Sequence, residues 1–328
     1  MVERVWGGNR LHRLHGKNIP AGKVIGESWE LADRADAQSV IAHGPFKGRT
    51  LRELLADQAE AVLGPALAAA RPKWFPLLIK YVDAGEALSV QVHPDDAGAK
   101  ALNDRGKSEC WVVVHVEPGA KVTRGLSPGV TRADYEKAVA SGQVESVLRS
   151  FTPKPGDVLA IPPGMIHAIG AGLVVAEIQQ NSDVTFRIHD YNRMGLDGKP
   201  RKLHVAEALS AIRFEGSGDE FSGDMKSDTA APHSSERRGA LHLEHLLDGR
   251  FFSLERHTLS AGGQYSLRAN PAAPRVLMAV SGSGMLQGQA LNVGQTVLLP
   301  ADLPDVSISA GAEGLVTLIS TPTVAACG

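Results

Sequence analysis

The chain has 328 residues, enough for two packed domains, and its hydrophobic content of 43% supports a substantial buried core. Lysine and arginine total 34 against 36 acidic residues, and no long basic run occurs, so nucleic acid and anionic membranes are not expected as partners. The N-terminus lacks the apolar core of a signal peptide, and no stretch of about 20 apolar residues follows, which predicts a cytoplasmic protein without a membrane span. Two cysteines provide no disulfide framework.

Helices are predicted as insertions in a β-rich chain. Thr50 and Glu53 form a capping-box pattern, and the alanine- and leucine-rich residues that follow predict a helical insertion over about 50–70. Thr131 begins a similar pattern, which predicts a second helical insertion over about 131–150. Further short helices are expected at 95–103 and 204–212.

Short strands separated by glycine and proline turns account for much of the remaining chain. They are predicted at 25–31, 75–82, 87–93, 109–116, 158–161, 173–178, 184–188, 251–259, 276–280, 296–299 and 315–319. Because strands and helices do not alternate regularly, a mainly β barrel or sandwich with helical insertions is favoured over a parallel α/β fold.

A polar stretch divides the chain into two predicted domains. Residues 216–239 are rich in serine, glycine and charged residues, which predicts a linker or loop between a domain at 1–215 and a second β domain at 240–328. A weak internal repeat links the two, since Gly156 and Gly294 are each followed six residues later by a proline. His167 in the first copy corresponds to Asp305 in the second, so the second domain is expected to lack metal ligands.

Three stretches carry side chains suited to binding one metal ion. Along the predicted strand 87–93 the side chains alternate between faces, so Gln91 and His93 point the same way. Glu109 begins an apolar strand, where a carboxylate must be either solvated or paired. His167 follows a tight turn between two short strands, from which it can point into a barrel.

Two imidazoles, one carboxylate and one amide oxygen form a mixed nitrogen and oxygen ligand set. Such a set suits Zn²⁺ and also accommodates Fe²⁺, Mn²⁺ or Co²⁺. Four protein ligands without cysteine leave room for a fifth ligand from water or substrate. Taken singly, each residue has an ordinary explanation, because an isolated histidine or strand glutamine more often forms hydrogen bonds within the protein. The joint pattern favours a metal site.

The residues around His167 resemble the second sequence signature of the cupin superfamily. Its fixed positions up to the histidine are matched by Gly156, Pro162, Gly164 and His167. Ala171 stands where the signature usually ends in asparagine. The first cupin signature normally supplies His-x-His and then a glutamate, and here Gln91-x-His93 and Glu109 correspond to it. The resemblance implies a double cupin, that is, two β-barrel domains with helical insertions.

The first two thirds of the chain resemble the zinc-dependent, cupin-type mannose-6-phosphate isomerases, in particular their shorter bacterial form. The matching stretches are 6–8, 25–30, 75–80, 88–95, 107–111, 163–169, 180–187, 190–193 and 198–204. The C-terminal third shares only a general pattern of short strands with the family.

The resemblance also implies the residues of an active site. The family's ligands for one zinc ion per chain fall on Gln91, His93, Glu109 and His167. Its active-site arginine falls on Arg187, and a lysine near the metal falls on Lys107, for which an acid/base or ring-opening role is expected. Ser89 shares the strand face of the ligands, and both Ser89 and Asp183 are expected to contact substrate.

The implied reaction is an aldose–ketose isomerisation between mannose 6-phosphate and fructose 6-phosphate. It passes through a cis-enediolate, whose negative charge a divalent ion and the guanidinium of Arg187 would stabilise. The expected partner is therefore a small sugar phosphate, and the chain is expected to be a monomer or a homodimer.

Three alternatives compete with this interpretation. A cupin isomerase of another sugar or sugar phosphate is the nearest, and a metal-bound sugar-sensing double cupin without turnover belongs to a different class. Arg187 and Lys107 beside a full ligand set favour an enzyme, since simple sugar binding does not require a cation opposite a metal. A cupin dioxygenase is disfavoured, because Gln91 replaces a histidine of the usual ligand set.

Overall fold

The computed structural model describes residues 1–214, 221–222 and 232–327 of the chain. Six α-helices occur in these ranges: α1 (Arg10–His15), α2 (Leu51–Leu63), α3 (Pro65–Ala69), α4 (Asp96–Ala99), α5 (Arg132–Ala140) and α6 (Val205–Ala211). Short 3₁₀ segments lie at Lys100–Leu102, Val144–Val147 and Val324–Cys327. None of the helices in the described ranges has the length and apolar character needed to span a membrane.

Eleven strands form the N-terminal part of the fold. They are β1 (Val2–Gly8), β2 (Ile25–Leu31), β3 (Leu77–Ala84), β4 (Val90–Val92), β5 (Glu109–Val116), β6 (Val122–Leu126), β7 (Leu148–Phe151), β8 (Val158–Ile161), β9 (His167–Ile169), β10 (Leu173–Gln180) and β11 (Phe186–His189). A six-stranded sheet has the order β1-β2-β3-β10-β5-β8, and a five-stranded sheet has the order β11-β4-β9-β6-β7. Side chains from both sheets, including Trp6, Trp111 and Val122, form one apolar cluster, so the two sheets enclose a barrel interior.

The six-stranded sheet is buried on both faces. All eight residues of β3 are buried, as the nearly continuous apolar run at 75–82 predicts. Alternate residues of β3, β5 and β10 pack on the opposite side against helices and the C-terminal strands; Ile79, Val112 and Val174 share a cluster there with Phe252 and Met278. The C-terminal part of the chain therefore covers the outer face of the sheet that forms one wall of the barrel.

The helical insertions begin as their sequence patterns predict. The Thr50 side chain accepts a hydrogen bond from the Glu53 main-chain N–H, and the Glu53 side chain accepts one from the Thr50 main-chain N–H. Both halves of the capping box at the start of α2 are therefore present. Thr131 and Asp134 form the same arrangement at the start of α5. Gly64 ends α2, and Pro65 begins α3 at the position where a missing N–H costs nothing.

Nine further strands in the described residues form one C-terminal sheet system. They are β12 (Phe221–Ser222), β13 (Ser234–Arg238), β14 (Leu241–Gly249), β15 (Phe252–Leu259), β16 (Gln264–Leu267), β17 (Arg275–Leu286), β18 (Gln289–Asn292), β19 (Thr296–Leu299) and β20 (Val306–Pro322). Six of them follow the order β12-β14-β15-β20-β17-β18. In addition, β13 pairs with β14, β16 pairs with β20, and β19 pairs with β17. Leu243, Leu277, Ile308 and Ile319 lie in its own apolar cluster. The mainly β double-barrel architecture with helical insertions is confirmed.

The predicted linker at 216–239 differs from the structure at its C-terminal end. Residues 234–238 form β13, which pairs with β14 along its whole length, so the C-terminal sheet begins before residue 240. All five side chains of β13 are exposed, and the strand therefore carries no apolar alternation that would distinguish it from a loop. Residues 221–222 also pair with β14. The rest of the predicted linker lies outside the described residues, and the domain limits stay a prediction.

Candidate active site

The three stretches that carry the predicted metal ligands meet inside the N-terminal barrel. The ring nitrogens His93 Nε2 and His167 Nε2 lie 3.1 Å apart. Glu109 Oε2 is 3.6 Å from the first of these nitrogens, and Glu109 Oε1 is 3.4 Å from the second. All three side chains are almost completely buried, and one ligand atom from each lies within 4.8 Å of the others.

Strand pairing explains this convergence. Gln91 in β4 lies directly opposite His167 in β9, so the two side chains share one face of the five-stranded sheet. His93 directly follows β4, two residues after Gln91 and on the same face. Its carbonyl accepts a hydrogen bond from Gly164, at 2.9 Å, which ties the turn before His167 to the end of β4. Glu109 begins β5 in the facing six-stranded sheet.

Both histidines are held with a lone pair facing the centre. His93 Nδ1 donates to the Val184 carbonyl at 2.7 Å, and His167 Nδ1 donates to the Met165 carbonyl at 2.9 Å, since a carbonyl oxygen can only accept. Burial lowers the pKa of His93 well below its usual range and lowers that of His167 to about 4, so both rings are neutral at neutral pH. Each Nε2 atom is therefore an acceptor, as a metal-ligating histidine requires.

Glu109 completes an acceptor-rich cluster. Neither of its carboxylate oxygens receives a well-aligned hydrogen bond from the described residues, although Lys107 Nζ lies 2.8 Å from Oε2. Burial raises the pKa of Glu109, because a carboxylate charge inside the barrel loses its hydration. Two imidazole lone pairs and a carboxylate converging in a buried space fit a divalent cation, which would receive a bond from each of them.

Two further predicted residues line the cluster. Lys107 Nζ lies 3.2 Å from His93 Nε2 as well as beside Glu109, so its ammonium group faces the same centre. The amide of Gln91 presents its Nε2 atom to His167 Nε2 at 3.3 Å and accepts a hydrogen bond from Ser89 at 3.1 Å through Oε1. Ser89 thus positions the Gln91 amide.

A cavity of about 210 Å³ opens beside this cluster. The sequence-predicted residues that line it are Ser89, Gln91, Lys107, Asp183 and Arg187. Arg187 lies directly opposite Gln91 in the pairing of β11 with β4, which brings its side chain beside the cluster. The structure therefore gathers all eight predicted site residues in or around one cavity.

A buried ion-pair row in the six-stranded sheet is part of the cavity wall and was not predicted. Lys80 in β3 lies opposite Glu177 in β10, and Lys80 Nζ is 2.9 Å from Glu177 Oε2 and 3.7 Å from Glu27. Burial alone would raise the pKa of Glu177, but Lys80 and Lys107 outweigh it and keep the carboxylate ionised. The sequence signal is a charged residue in each of two apolar strands, because such a charge must be paired.

Three arginines line the cavity, namely Arg4, Arg187 and Arg201. Arg4 also pairs with Glu27 at 2.8 Å, and Arg201 donates to Asp190 at 3.1 Å. Burial and the neighbouring guanidinium of Arg201 lower the pKa of Arg187, and burial together with Arg193 and Arg4 lowers that of Arg201. Guanidinium groups that line one cavity can attract an anion into it.

The second barrel carries different residues at the corresponding positions. Glu109 pairs with Ile161, the fifth residue after Gly156, and Arg275 pairs with Leu299, the fifth residue after Gly294. A guanidinium therefore stands where the first barrel has its carboxylate. Asp305, which corresponds to His167, accepts a hydrogen bond from a main-chain N–H at 2.8 Å. Among the described residues, the group suited to a metal is that of the first barrel.

A β-barrel with a buried His–Glu–His cluster beside a cationic cavity is a cupin-type architecture. Residues 1–109 match the model of "Phosphomannose isomerase type I, catalytic domain". The mannose-6-phosphate isomerase ManA of Bacillus subtilis is 33% identical over 96% of this chain and 95% of that protein. The mannose-6-phosphate isomerase of Streptococcus mutans is 32% identical over 92% of this chain and 90% of its own length.

A solved structure extends the similarity to the whole fold. The crystal structure of the mannose 6-phosphate isomerase from Bacillus subtilis superposes with a TM-score of 0.84 at 29% identity, covering 97% of this chain and 96% of that one. The chain belongs to the type I phosphomannose isomerase family.

The cluster geometry predicts which histidines control metal content. Replacing His167 with asparagine removes one of the two neutral imidazoles that face the centre, so the protein purified with divalent metal should retain well under half of the wild-type amount. The matched control is His257→Asn, which changes a buried histidine of the second barrel and should leave metal content unchanged. Elemental analysis of the dialysed proteins measures both. Equal metal content in His167→Asn and wild-type protein would place the ion elsewhere.

Proposed function

We propose that the chain interconverts mannose 6-phosphate and fructose 6-phosphate. Membership of the type I phosphomannose isomerase family supports the reaction, and the cavity supports its chemistry. The observation that carries the proposal is the convergence of the His93, Glu109 and His167 acceptors beside a cavity that guanidinium groups line. A metal-binding site and an anion-binding site in one small cavity match an anionic sugar that reacts at its other end.

The proposed metal ligands are Gln91, His93, Glu109 and His167, holding one Zn²⁺ ion or another divalent ion per chain. A bound divalent ion supplies positive charge that polarises the substrate oxygens at C1 and C2. An oxygen ligand from Gln91 requires its amide to present Oε1 rather than Nε2 to the centre. The two ends of an amide are similar in shape, so this exchange changes the hydrogen bonds but little of the packing.

Arg187 is proposed to stabilise the charge that develops during the reaction. Moving a proton between C2 and C1 places negative charge on the adjacent oxygens, and a guanidinium beside them favours that state over the neutral sugar. The Nε atom of Arg187 is buried without a hydrogen-bond partner among the described residues. This N–H is therefore not committed to another group of the described residues, and Arg187 itself lines the cavity.

Lys107 is proposed to move protons at the sugar. Its ammonium group is buried beside Glu109 and His93 and lines the cavity, so it can reach a substrate oxygen or carbon there. Ser89 and Asp183 line the same cavity and are proposed to contact sugar hydroxyl groups. The phosphate is proposed to bind between Arg4 and Arg201, where it would relieve the mutual repulsion of the guanidinium groups.

The direct test is turnover by the purified chain. A coupled assay should detect fructose 6-phosphate formed from mannose 6-phosphate by the metal-loaded protein. Dialysis against a chelator should abolish turnover in step with the measured loss of metal, and added Zn²⁺ should restore it. Absence of turnover in fully metal-loaded protein, or unchanged turnover after the metal is shown to be gone, would contradict the proposal.

The role of Arg187 is tested by charge removal. Arg187→Ala should lower kcat about 100- to 1,000-fold, the usual effect of deleting a group that stabilises developing charge, while metal content stays near the wild-type value. Arg187→Lys keeps the charge without the planar fork and should give an intermediate kcat. Arg250→Ala, an exposed site in the C-terminal part, serves as the control and should not change kcat. Metal loss in Arg187→Ala would instead assign that arginine to the structure of the site.

A further inference from the structure

Arg187 lies on an edge strand whose outer main-chain groups need partners. In the described part of the chain, β11 is the last strand of the five-stranded sheet and pairs with β4 alone. The main-chain N–H and C=O of Arg187 point away from β4, toward the segment that leads into α6. An unpaired main-chain N–H at a strand edge would leave the position of Arg187 weakly determined.

His204 binds both of these main-chain groups. The His204 N–H donates to the Arg187 carbonyl at 2.7 Å, and the Arg187 N–H donates to His204 Nδ1 at 3.2 Å. The first bond is available to almost any residue at position 204. The second requires an acceptor on the side chain at the distance of Nδ1, so it depends on the identity of residue 204.

A second contact from the same segment holds the guanidinium. Arg187 Nη1 donates to the Lys202 carbonyl at 2.9 Å. Residues 202–204 therefore fix Arg187 at its main chain and at the end of its side chain. Arg187 Nε has no hydrogen-bond partner among the described residues.

We propose that His204 is a positioning residue: through Nδ1 it accepts the main-chain N–H of Arg187 and so fixes the strand position from which Arg187 acts on substrate. The inference rests on the proposed function only for its kinetic consequence. It concerns a residue that does not line the cavity of the metal cluster, since His204 lies on the wall of a separate cavity of about 660 Å³ on the outer side of the barrel.

The charges around His204 keep its ring neutral, as an accepting Nδ1 requires. Burial, Arg187 and Lys202 lower its pKa, and Glu207 in the first turn of α6 opposes them. Across the outer cavity, Asp95 and Arg213 pair with each other at 3.3 Å. The neutral ring with an accepting Nδ1 carries its proton on Nε2, which lies on the side away from Arg187.

Two amide substitutions test whether the acceptor at the position of Nδ1 is what matters, rather than the ring as a whole. The oxygen of asparagine lies near the position of histidine Nδ1, whereas the oxygen of glutamine lies nearer the position of Nε2. His204→Gln should lower kcat about 10- to 100-fold, the usual cost of misplacing a group near the reacting atoms by about 1 Å, with metal content unchanged and a smaller change in KM. His204→Asn should keep a kcat close to that of the wild-type protein. His242→Gln makes the same chemical change in β14 and should leave kcat unchanged.

A double substitution tests whether His204 acts through Arg187. In the Arg187→Ala background, His204→Gln should cause no further loss of kcat, because the group that it positions is already absent. Three outcomes would each overturn the inference. The first is equal kcat in His204→Gln and wild-type protein, and the second is an equal loss of kcat in the glutamine and asparagine variants. The third is a double variant in which the losses of kcat multiply. Absence of turnover in the wild-type protein would instead contradict the proposed function.

A measurement on the wild-type protein needs no turnover. Long-range ¹H–¹⁵N spectra of histidine-labelled protein distinguish the two neutral tautomers, and the His204 ring is assigned by its loss in the His204→Asn variant. The inference predicts a neutral ring with its proton on Nε2 and an unprotonated Nδ1. A proton on Nδ1 at neutral pH would overturn the inference whatever the enzymatic activity.

Discussion

The convergence of two imidazole lone pairs and one carboxylate in the barrel interior is the constraint on which the rest of the site depends. Buried acceptors that face one another repel, and a buried carboxylate without a partner is costly. His93 and His167 are nevertheless turned toward each other by hydrogen bonds from their Nδ1 atoms to main-chain carbonyls. A divalent cation would offset this repulsion, and Lys107 places one positive charge beside Glu109.

The two sheets of the N-terminal barrel supply different parts of the chemistry. The five-stranded sheet carries Gln91, His167 and Arg187, whereas the six-stranded sheet carries Glu109 and the Lys80–Glu177 ion pair with its neighbours. The site therefore exists only where the two sheets close on each other. The C-terminal strands pack on the outer face of the six-stranded sheet and bury the side of that sheet that faces away from the cluster.

Local patterns were enough to single out the residues of the cluster, and the family resemblance suggested that they bind zinc. Alternation along a strand placed Gln91 and His93 on one face, and the spacing of the turn before His167 located the third stretch. The structure brings His93 and His167 together with Glu109, and Gln91 lies opposite His167. The helical insertions followed from capping residues such as Thr50, since a capping box is a short-range feature. These predictions needed no knowledge of long-range pairing.

Features that depend on which strands are neighbours could not be predicted from local patterns. The ion pair of Lys80 with Glu177 arises because β3 and β10 are neighbours, and nothing in either strand alone gives that pairing. The contact of His204 with Arg187 depends on the edge position of β11. The exposed strand β13 resembled a linker because it buries none of its side chains.

The central claim is that one divalent ion binds between His93, Glu109 and His167. The most direct measurement is a crystal of the zinc-loaded protein, with diffraction data collected on both sides of the zinc absorption edge. One strong anomalous peak per chain is expected, located within bonding distance of His93 Nε2, His167 Nε2 and a Glu109 oxygen. Stoichiometric zinc with its peak elsewhere, for example in the C-terminal barrel, would show that this cluster is not the metal site.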